Sequence, residues 1–475
     1  MTGATGFVGT ALRRGLAPDF RLVGLTRSAA DIRQTMGERG NGDETEWRSC
    51  DLFSVLELEK TMQGADYAVY LANSRLPSSR LVQGSPEDID LIMADNFARA
   101  AQFCGVKHIV YLGRLLPAEE NLPGPPAGRM EVEQALGSGT TPLTTLRAGL
   151  IVGPSGSSLR ILINLVRRLP VMILPEWTLT RTQPMAIDDV VRAVRLCLGV
   201  AQYFGGRYDI GGPDVMTFRE MLQRTAGALG KKRVMVGVPR FSAALSKGWV
   251  TLLGGVSRYR VGSLVDSLCF PLVTEANPVQ AALAAGTKSF DVALRESFDG
   301  QGRMVPNPRD HIRATDDRAI RRAQRVRSIQ RLPLPPGWTA RQVTAEYYRW
   351  LPGSVRPLLR SDIEPWVSVR VCLGFTRWRL IEFTYAPHRS SEDRQLLYIT
   401  GGALARTQNN AKGRIEFREA LGGHCLLVAI HDFTPTLPWN IYRNTQAIVH
   451  LWVMRCFGRH LGRIKSSGLP PPGAI

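Results

Sequence analysis

The chain opens on a glycine turn that runs directly into a helical pattern. Residues 1–12 read MTGATGFVGTAL, which places glycines at positions 3, 6 and 9. In such a turn Gly3 permits the tight bend, Gly6 lets a pyrophosphate approach the backbone, and Gly9 lets the helix pack closely against a sheet. The unpaired amides and the positive dipole end of the helix attract phosphate. The pattern therefore predicts a βαβ unit that binds a dinucleotide.

The next apolar run predicts which dinucleotide is bound. Residues 20–25, FRLVGL, are typical of a second strand, and Thr26-Arg27-Ser28 follow with no carboxylate before Asp31. An acid at the end of this strand would bond the ribose hydroxyls of NAD, whereas a basic residue accommodates the extra phosphate of NADP. Arg27 therefore favours NADP(H) over NAD(H). The alternative interpretation is that Arg27 is a solvated loop charge.

The strand that should precede the glycine turn is missing most of its residues in this sequence. The glycine turn normally follows a buried strand at the middle of the sheet, yet only Met1 and Thr2 precede Gly3. Either that strand is lost or the written start lies several residues too late. We favour the second interpretation, because an uncovered sheet centre would forgo several buried side chains at roughly 1.5–3 kcal/mol each.

Composition limits the remaining classes. The 475 residues are enough for two or three domains, and 44% hydrophobic with 21% charged residues is ordinary for globular protein. We expect no membrane span, because no run of eighteen apolar residues occurs, and no signal peptide, because the chain starts within the glycine turn. The seven cysteines are widely spaced, which predicts reduced thiols in a cytoplasmic protein. The histidine and cysteine spacings fit no metal motif, and the net charge of +19 comes with no nucleic-acid fold signature.

The strand and helix signals predict four segments. Residues 1–155 alternate strands and helices, which is typical of a Rossmann-type, doubly wound parallel sheet, and 156–275 form a small substrate lobe. Residues 276–336 are predicted to be a linker with one basic helix. Residues 337–475 form an α+β domain with an antiparallel sheet and a long helix over 439–461.

Several separated motifs resemble the atypical short-chain dehydrogenase/reductases, specifically the NAD(P)H-binding, NmrA-like group related to complex I accessory subunits. The match rests on TGATGFVG at 2–9, Asp51-Leu52, GVKHIVYL at 105–112, LRAGLIVGP at 146–154, QPMAIDDV at 183–190 and YDIGGP at 208–213. It covers roughly residues 1–275. The remainder resembles, more loosely, a domain of unknown function that follows this module in some bacterial members.

The resemblance implies a set of cofactor contacts. The glycine turn would supply Gly3, Thr5, Gly6, Phe7, Val8 and Gly9. Asp51 and Leu52 would lie beside the adenine, and 72–74, beginning with Ala72, would line the cofactor groove.

The resemblance breaks down at the catalytic residues. Active members pass a proton through a tyrosine whose pKa is lowered by a lysine four positions on, with a serine holding the carbonyl. Here Gly113 stands at the serine's place, and no tyrosine or lysine occurs from 113 to 149. In the dyad's helix stand Arg129 and Glu133, one turn apart, which could pair as a surface ion pair or act at the cofactor or substrate.

Two functions therefore remain open from the sequence. One is a reductase or isomerase of a small or apolar substrate that lacks the tyrosine–lysine dyad. The other is a non-catalytic NADP(H)-binding redox sensor or assembly partner. The C-terminal domain is expected to enclose an apolar ligand or to contact a membrane peripherally, since its last helix mixes Trp452 and Phe457 with arginines. The alternative is that this helix completes a solid core. The oligomeric state is not predicted.

Overall fold

The protein is described here by a computed structural model that covers residues 1–27, 45–72, 81–117, 125–238, 270–305, 326–354, 359–374, 376–407 and 413–467. The chain divides into two compact units. The first contains Met1–Arg75 and Asn96–Arg313, and the second contains Leu76–Asp95 and Ala314–Ile475.

The described residues form the following elements in chain order. The strands are β1 (Val23–Thr26), β2 (Glu46–Ser49), β3 (Tyr67–Tyr70), β4 (Leu81–Gln83), β5 (His108–Arg114), β6 (Leu143–Ala148), β7 (Ile151–Val152), β8 (Val171–Pro175), β9 (Arg181–Thr182), β10 (Met185–Ala186), β11 (Arg207–Ile210), β12 (Met216–Thr217), β13 (Val234–Val238), β14 (Val326–Pro333), β15 (Leu359–Glu364), β16 (Ser368–Leu373), β17 (Arg379–Tyr385), β18 (Arg394–Gly401), β19 (Arg414–Ala420) and β20 (Cys425–Phe433). The α-helices are α1 (Phe7–Leu16), α2 (Val55–Met62), α3 (Pro86–Phe103), α4 (Pro125–Leu136), α5 (Ser157–Arg168), α6 (Ile187–Cys197), α7 (Phe218–Ala228), α8 (Pro278–Leu283), α9 (Phe290–Arg295), α10 (Ala340–Ser354), α11 (Trp439–Asn444) and α12 (Gln446–Ser467).

The first unit is built on parallel strands. One sheet has the order β11-β6-β5-β3, and β1 pairs with β2. Leu12, Leu16, Val190, Val194 and Leu146 belong to one buried cluster, so α1 and α6 cover the same face of the sheet. The predicted doubly wound fold is confirmed.

The main chain of Met1 and Thr2 lies between the two groups of parallel strands. Leu25 N donates to Met1 O at 2.9 Å on the β1 side, and Thr2 N donates to Val69 O at 3.0 Å on the β3 side. Leu71 N also donates to Thr2 Oγ1 at 2.8 Å. The hydrogen-bonded order is therefore β2-β1-(Met1–Thr2)-β3-β5-β6-β11. Strands β1 and β2 lie on one side of Met1–Thr2, and the later strands β3, β5, β6 and β11 lie on the other side. The turn that follows Thr2 is therefore at the topological switch point of the sheet.

A second hydrophobic cluster of the same unit is built from α5, α7 and α9. Leu159, Leu162, Met221, Leu222 and Leu294 are among its buried members from these helices. Helix α7 starts on a capping box, because Thr217 Oγ1 accepts from Glu220 N and the Glu220 carboxylate accepts from Thr217 N. The boundaries predicted for a substrate lobe at 156–275 stay a prediction, and 239–269 lie outside the described residues.

The second unit contains an eight-stranded sheet of order β15-β16-β17-β18-β19-β20-β14-β4. Its strands pair antiparallel except β4, which pairs parallel with β14. Helices α10 and α12 share one buried cluster with this sheet, through residues such as Val343, Phe417, Phe457 and Leu461. The predicted antiparallel sheet with a long last helix is confirmed, but the single helix predicted over 439–461 is divided at Thr445 into α11 and α12.

The second unit begins earlier than the predicted boundary at 337. Strand β14 lies within the segment 276–336, which was predicted to be a linker, and α8 and α9 also form there. Arg327 lies in β14, whereas the predicted basic helix, through Arg318 and Arg325, falls outside the described residues. The unit also takes Leu76–Asp95, a segment enclosed in sequence by the first unit.

Candidate dinucleotide-binding site

Close contacts in the opening turn exclude a side chain at Gly9 and strain one at Gly3, whereas Gly6 closes the turn through its backbone. Gly3 has φ +60°, and a β-carbon on it would lie 3.0 Å from Leu71 Cβ. A β-carbon on Gly9 would lie 2.2 Å from the Gly3 carbonyl oxygen, which no side chain tolerates. Gly6 N donates to Gly3 O at 2.9 Å and so closes the turn. The turn therefore adopts the compact form that brings backbone close to a phosphate.

The amino end of α1 leaves its amides available. Gly6 is the N-cap residue, no side chain caps the helix, and its first turn carries no acid. Phe7 and Val8 are half-buried and Thr5 is buried beside this end. Because the first amides of a helix have no intrahelical acceptor, this end favours an anion.

Arg13 of α1 stabilises the glycine turn through a contact that was not predicted from the sequence. Its Nε donates to Ala4 O at 3.0 Å, and its guanidinium lies 4.9 Å from the centre of the Trp47 ring. Burial lowers the pKa of Arg13 to about 10. A basic residue in a helix normally indicates a solvated face, so the sequence carries no signal for this contact.

Arg27 directly follows β1 and is exposed. Its carbonyl oxygen accepts from Ser49 Oγ at 3.1 Å, which holds the ends of β1 and β2 together. Because β1 is parallel to the neighbouring strands, Arg27 stands at the carboxyl edge of the sheet, on the side of the glycine turn. Ser28 and Asp31, which entered the prediction of cofactor preference, lie outside the described residues.

The residues after β2 and β3 also reach this edge. Asp51 Oδ1 accepts from Phe53 N at 3.3 Å, and the Leu52 carbonyl accepts from Asn96 Nδ2 at 2.9 Å. Asn96 is fully buried, and its role in holding Leu52 was not predicted. Ala72 follows Leu71 beside Gly3 and is half-buried. Residues 73 and 74 of the predicted groove lie outside the described residues.

The two catalytic candidates, Arg129 and Glu133, have different surroundings. Glu133 is 3% exposed and pairs with Arg147, whose Nε and Nη2 donate to its two carboxylate oxygens at 2.9 and 2.6 Å. Arg129, one turn earlier in α4, is half-buried. The Glu133 carboxylate thus ties α4 to β6, a role that a pattern four residues long does not reveal.

The place of the missing serine is filled by an aromatic ring. A β-carbon on Gly113 would lie 2.9 Å from a ring carbon of Tyr111 and 3.5 Å from its hydroxyl oxygen. Tyr111 is buried and pairs in register with Thr145 on β6. The glycine at 113 is therefore part of the packing of this strand.

Two further findings concern the described residues alone. Their histidines, cysteines and acids form no cluster of three that could hold a metal ion. Within the same ranges no helix has the length and apolar character needed to cross a membrane.

Comparisons with known proteins give the following similarities. No protein-family model matches the chain. The auxiliary protein GraX of Staphylococcus aureus is 30% identical over 112 residues, which are 24% of this chain and 34% of GraX, so the match spans about a third of that relative. The ceramide reductase of Caulobacter vibrioides is 25% identical over 299 residues, which are 61% of this chain and 88% of the reductase.

Among solved structures, the triphenylmethane reductase of Citrobacter sp. complexed with NADP(H) is 17% identical, with a TM-score of 0.49 over 62% of this chain and 98% of that one. The NADPH-dependent quinone oxidoreductase of Escherichia coli complexed with NADPH is 18% identical, with a TM-score of 0.48 over 62% and 97%. The fold implied by the resemblance is confirmed by the strand order of the first unit itself.

Proposed function

We propose that the first unit binds NADP(H) at the carboxyl edge of its parallel sheet. The observation that carries the proposal is the compact glycine turn, with Gly9 against Gly3, at the topological switch point. In doubly wound sheets ligands bind in the crevice at this point. The uncapped, acid-free start of α1 favours the pyrophosphate.

The preference for NADP(H) over NAD(H) rests on Arg27. A guanidinium at the end of β1 complements the added phosphate by a charge-assisted, bidentate contact. The sequence has no carboxylate between β1 and Asp31, which agrees with this choice, because an acid directly after β1 would repel the phosphate. Two similar solved proteins are described as complexes with NADP(H) or NADPH.

Titration of the purified chain with NADPH and NADH tests this assignment. We expect Arg27→Ala to weaken NADPH binding about tenfold or more, since one charge-assisted contact contributes roughly 1.5–3 kcal/mol, and to leave NADH binding unchanged. Arg21→Ala is the matched control, because Arg21 precedes β1 and its side chain is 87% exposed beside Glu46. An equal loss of NADPH affinity in both variants, or no loss in Arg27→Ala, contradicts the role of Arg27.

We further propose that the chain is a reductase of an apolar carbonyl compound. Support comes from the similarity to ceramide reductase along 88% of that protein. When bound, NADPH supplies a hydride. The proton for the substrate oxygen comes from water, from the surroundings of Arg129 or from the substrate, since 113–149 lack tyrosine and lysine.

The second candidate is a non-catalytic NADP(H)-binding sensor or assembly partner. It is favoured by Gly113 at the serine's place and by the engagement of Glu133 with Arg147. NADPH oxidation measured with long-chain keto lipids, quinones, aldehydes and enones distinguishes the two. Turnover that is abolished by Gly6→Asp supports the reductase. Binding of NADPH without turnover of any substrate supports the sensor.

A further inference from the structure

The last helix of the second unit carries an exposed apolar patch. Ile448 and Trp452 of α12 are 56% and 49% exposed, and Val449 between them is 41% exposed. Ile441 of the preceding α11 is 49% exposed. A single exposed apolar side chain is common on a protein surface, but several neighbouring ones on one helix mark an interaction site.

The patch continues along α12 as a row of cations. Arg455, Arg459 and Arg463 are exposed and follow Trp452 at steps of three or four residues, which places them on the same side of the helix. The opposite side is settled by its contacts, because Val453, Phe457 and Leu461 are buried in the core of the unit. We call this outer side, from Ile448 to Arg463, the α12 stripe.

The stripe has no acidic counter-charge of its own. The sequence contains no Asp or Glu after Asp432. Among the ion pairs of the described residues, none involves Arg455, Arg459, Arg463 or Lys465. Most other described arginines of this unit pair with a carboxylate, as Arg370 does with Glu382. The three arginines of the stripe thus have no ion-pair partner among the described residues, and the carboxylate that reaches this helix, that of Glu346, contacts His460 at 2.7 Å.

We propose that the α12 stripe binds the surface of an anionic lipid bilayer. A bilayer surface presents anionic headgroups and the edge of the acyl region in one plane, which matches a stripe that is apolar at Ile448 and Trp452 and cationic from Arg455 onward. Trp452 would lie at the headgroup level, where tryptophan is enriched. The helix lies on the membrane and does not cross it, in agreement with its hydropathy.

The combination of arginines with exposed apolar side chains favours an anionic bilayer over a nucleic acid as the partner of the α12 stripe. A nucleic acid offers phosphates to the arginines but no apolar partner for the isoleucines and valine. The inference stands apart from the proposed binding of NADP(H), because its residues belong to the second unit. Failure of one therefore does not imply failure of the other.

Flotation of the full chain with vesicles tests the inference. Vesicles of phosphatidylcholine with phosphatidylglycerol should carry the protein, and vesicles of phosphatidylcholine alone should carry at least about tenfold less. High salt should weaken the binding, because it screens the arginines. The pair Ile448→Ser with Trp452→Ser and the pair Arg455→Gln with Arg459→Gln should each reduce the bound fraction about tenfold.

Two matched controls separate the stripe from general effects. Trp378→Ser removes a tryptophan that is 63% exposed elsewhere in the second unit, and Lys231→Gln with Lys232→Gln removes two exposed cations of the first unit. Both controls should float as the unchanged protein does, and NADPH titration should be the same for all variants. Absence of flotation, equal losses in the controls, or tRNA binding that needs the arginines but not Trp452 would overturn the proposal.

Discussion

Glu133 and Arg147 form a two-pronged ion pair between α4 and β6, with N–O distances of 2.9 and 2.6 Å. The Arg147 side chain is 20% exposed and that of Glu133 is 3% exposed. Burial lowers the pKa of Arg147, but the hydrogen bonds and charge of Glu133 more than offset this, so that the net change is a rise. The helix that would carry a tyrosine–lysine dyad in the resembling enzymes is thus joined to the sheet by charge.

Replacing Glu133 with glutamine should destabilise the first unit. The change leaves Arg147 without its buried counter-ion, which costs about 3 kcal/mol, toward the low end for buried pairs because Arg147 is partly exposed. Denaturant unfolding measures the loss. Asp66→Asn is the control, since Asp66 and Lys107 form a pair with side chains 62% and 66% exposed, and an exposed pair contributes little to stability. A loss at Glu133 no larger than in the control would contradict the structural role.

The partner of Glu133 shows where prediction from the sequence stops. The spacing of Arg129 and Glu133 predicts a pair along the helix, whereas the observed contact joins Glu133 of α4 to Arg147 of β6, fourteen residues further along the chain. Such a contact depends on how α4 lies on the sheet, which local periodicity does not encode. The glycine turn was predictable because its geometry is local, and the structure places all three glycines in close contacts.

For the fold as well, elements with a local sequence signal are predictable and elements that depend on distant contacts are not. Strand β6 can be read from the sequence, because LTTLRA at 143–148 combines apolar and β-branched residues between turn residues. The sequence carries no comparable signal for β4 or β19. Strand β4 has three residues, and β19 reads RIEFREA, in which buried Arg414, Glu416 and Arg418 interrupt the apolar pattern. Charges that are buried in pairs look like solvent-facing residues in a sequence.

Gly9→Ala and Gly6→Ala should have different effects. The β-carbon at position 9 would meet backbone at 2.2 Å, so the turn must open, at about 1–3 kcal/mol or more. At position 6 the nearest atom would be 3.2 Å away, so stability should fall by less than about 1 kcal/mol while NADPH affinity falls about tenfold or more.

Thermal unfolding and NADPH titration of both glycine variants measure these effects. Gly227→Ala is the control, because this exposed position in α7 has nothing within 4 Å of the added carbon and should gain roughly 0.5–1 kcal/mol. Unchanged NADPH binding by a folded Gly6→Ala variant would argue against the approach of phosphate at Gly6.

His108 should make stability fall between neutral and acidic pH. Its Nε2 lies 2.9 Å from Thr144 Oγ1, which itself donates to Tyr203 O, and its Nδ1 accepts from Gly199 N at 3.1 Å. These partners suit the neutral ring, and burial lowers the pKa of His108 to about 4. In the unfolded chain the pKa is about 6.5. The unfolded state therefore binds the proton first as the pH falls.

The stabilising contribution of neutral His108 is complete above about pH 6.5 and declines as the pH falls toward 4, by at most about 1.4 kcal/mol per pH unit. Denaturant unfolding across this window, with imidazole NMR, measures it. His108→Gln should reduce the slope, whereas His388→Gln, at an exposed position, should not. A His108 ring that titrates near 6.5 in the folded protein would exclude this account.

Asp95→Asn should loosen the second unit selectively. Asp95 Oδ2 accepts from Arg418 Nη1 at 2.6 Å, and Arg418 Nε donates to Glu416 Oε1 at 2.7 Å, with all three side chains nearly inaccessible. Burial alone would raise the pKa of Glu416, but Arg394 and Arg418 hold it well below its usual value. Glu416 is therefore ionised, and replacing Asp95 with asparagine leaves Arg418 with one carboxylate fewer.

The expected cost of Asp95→Asn is about 3–5 kcal/mol, because the pair is buried on both sides. Hydrogen exchange read by mass spectrometry locates the loss, since amides of β18, β19 and β20 should exchange faster while those of β5 and β6 stay protected. Glu392→Gln is the control, because Glu392 pairs with Arg341 while both side chains are more than half exposed. Equal acceleration in both units would show that the network does not stabilise the second unit in particular.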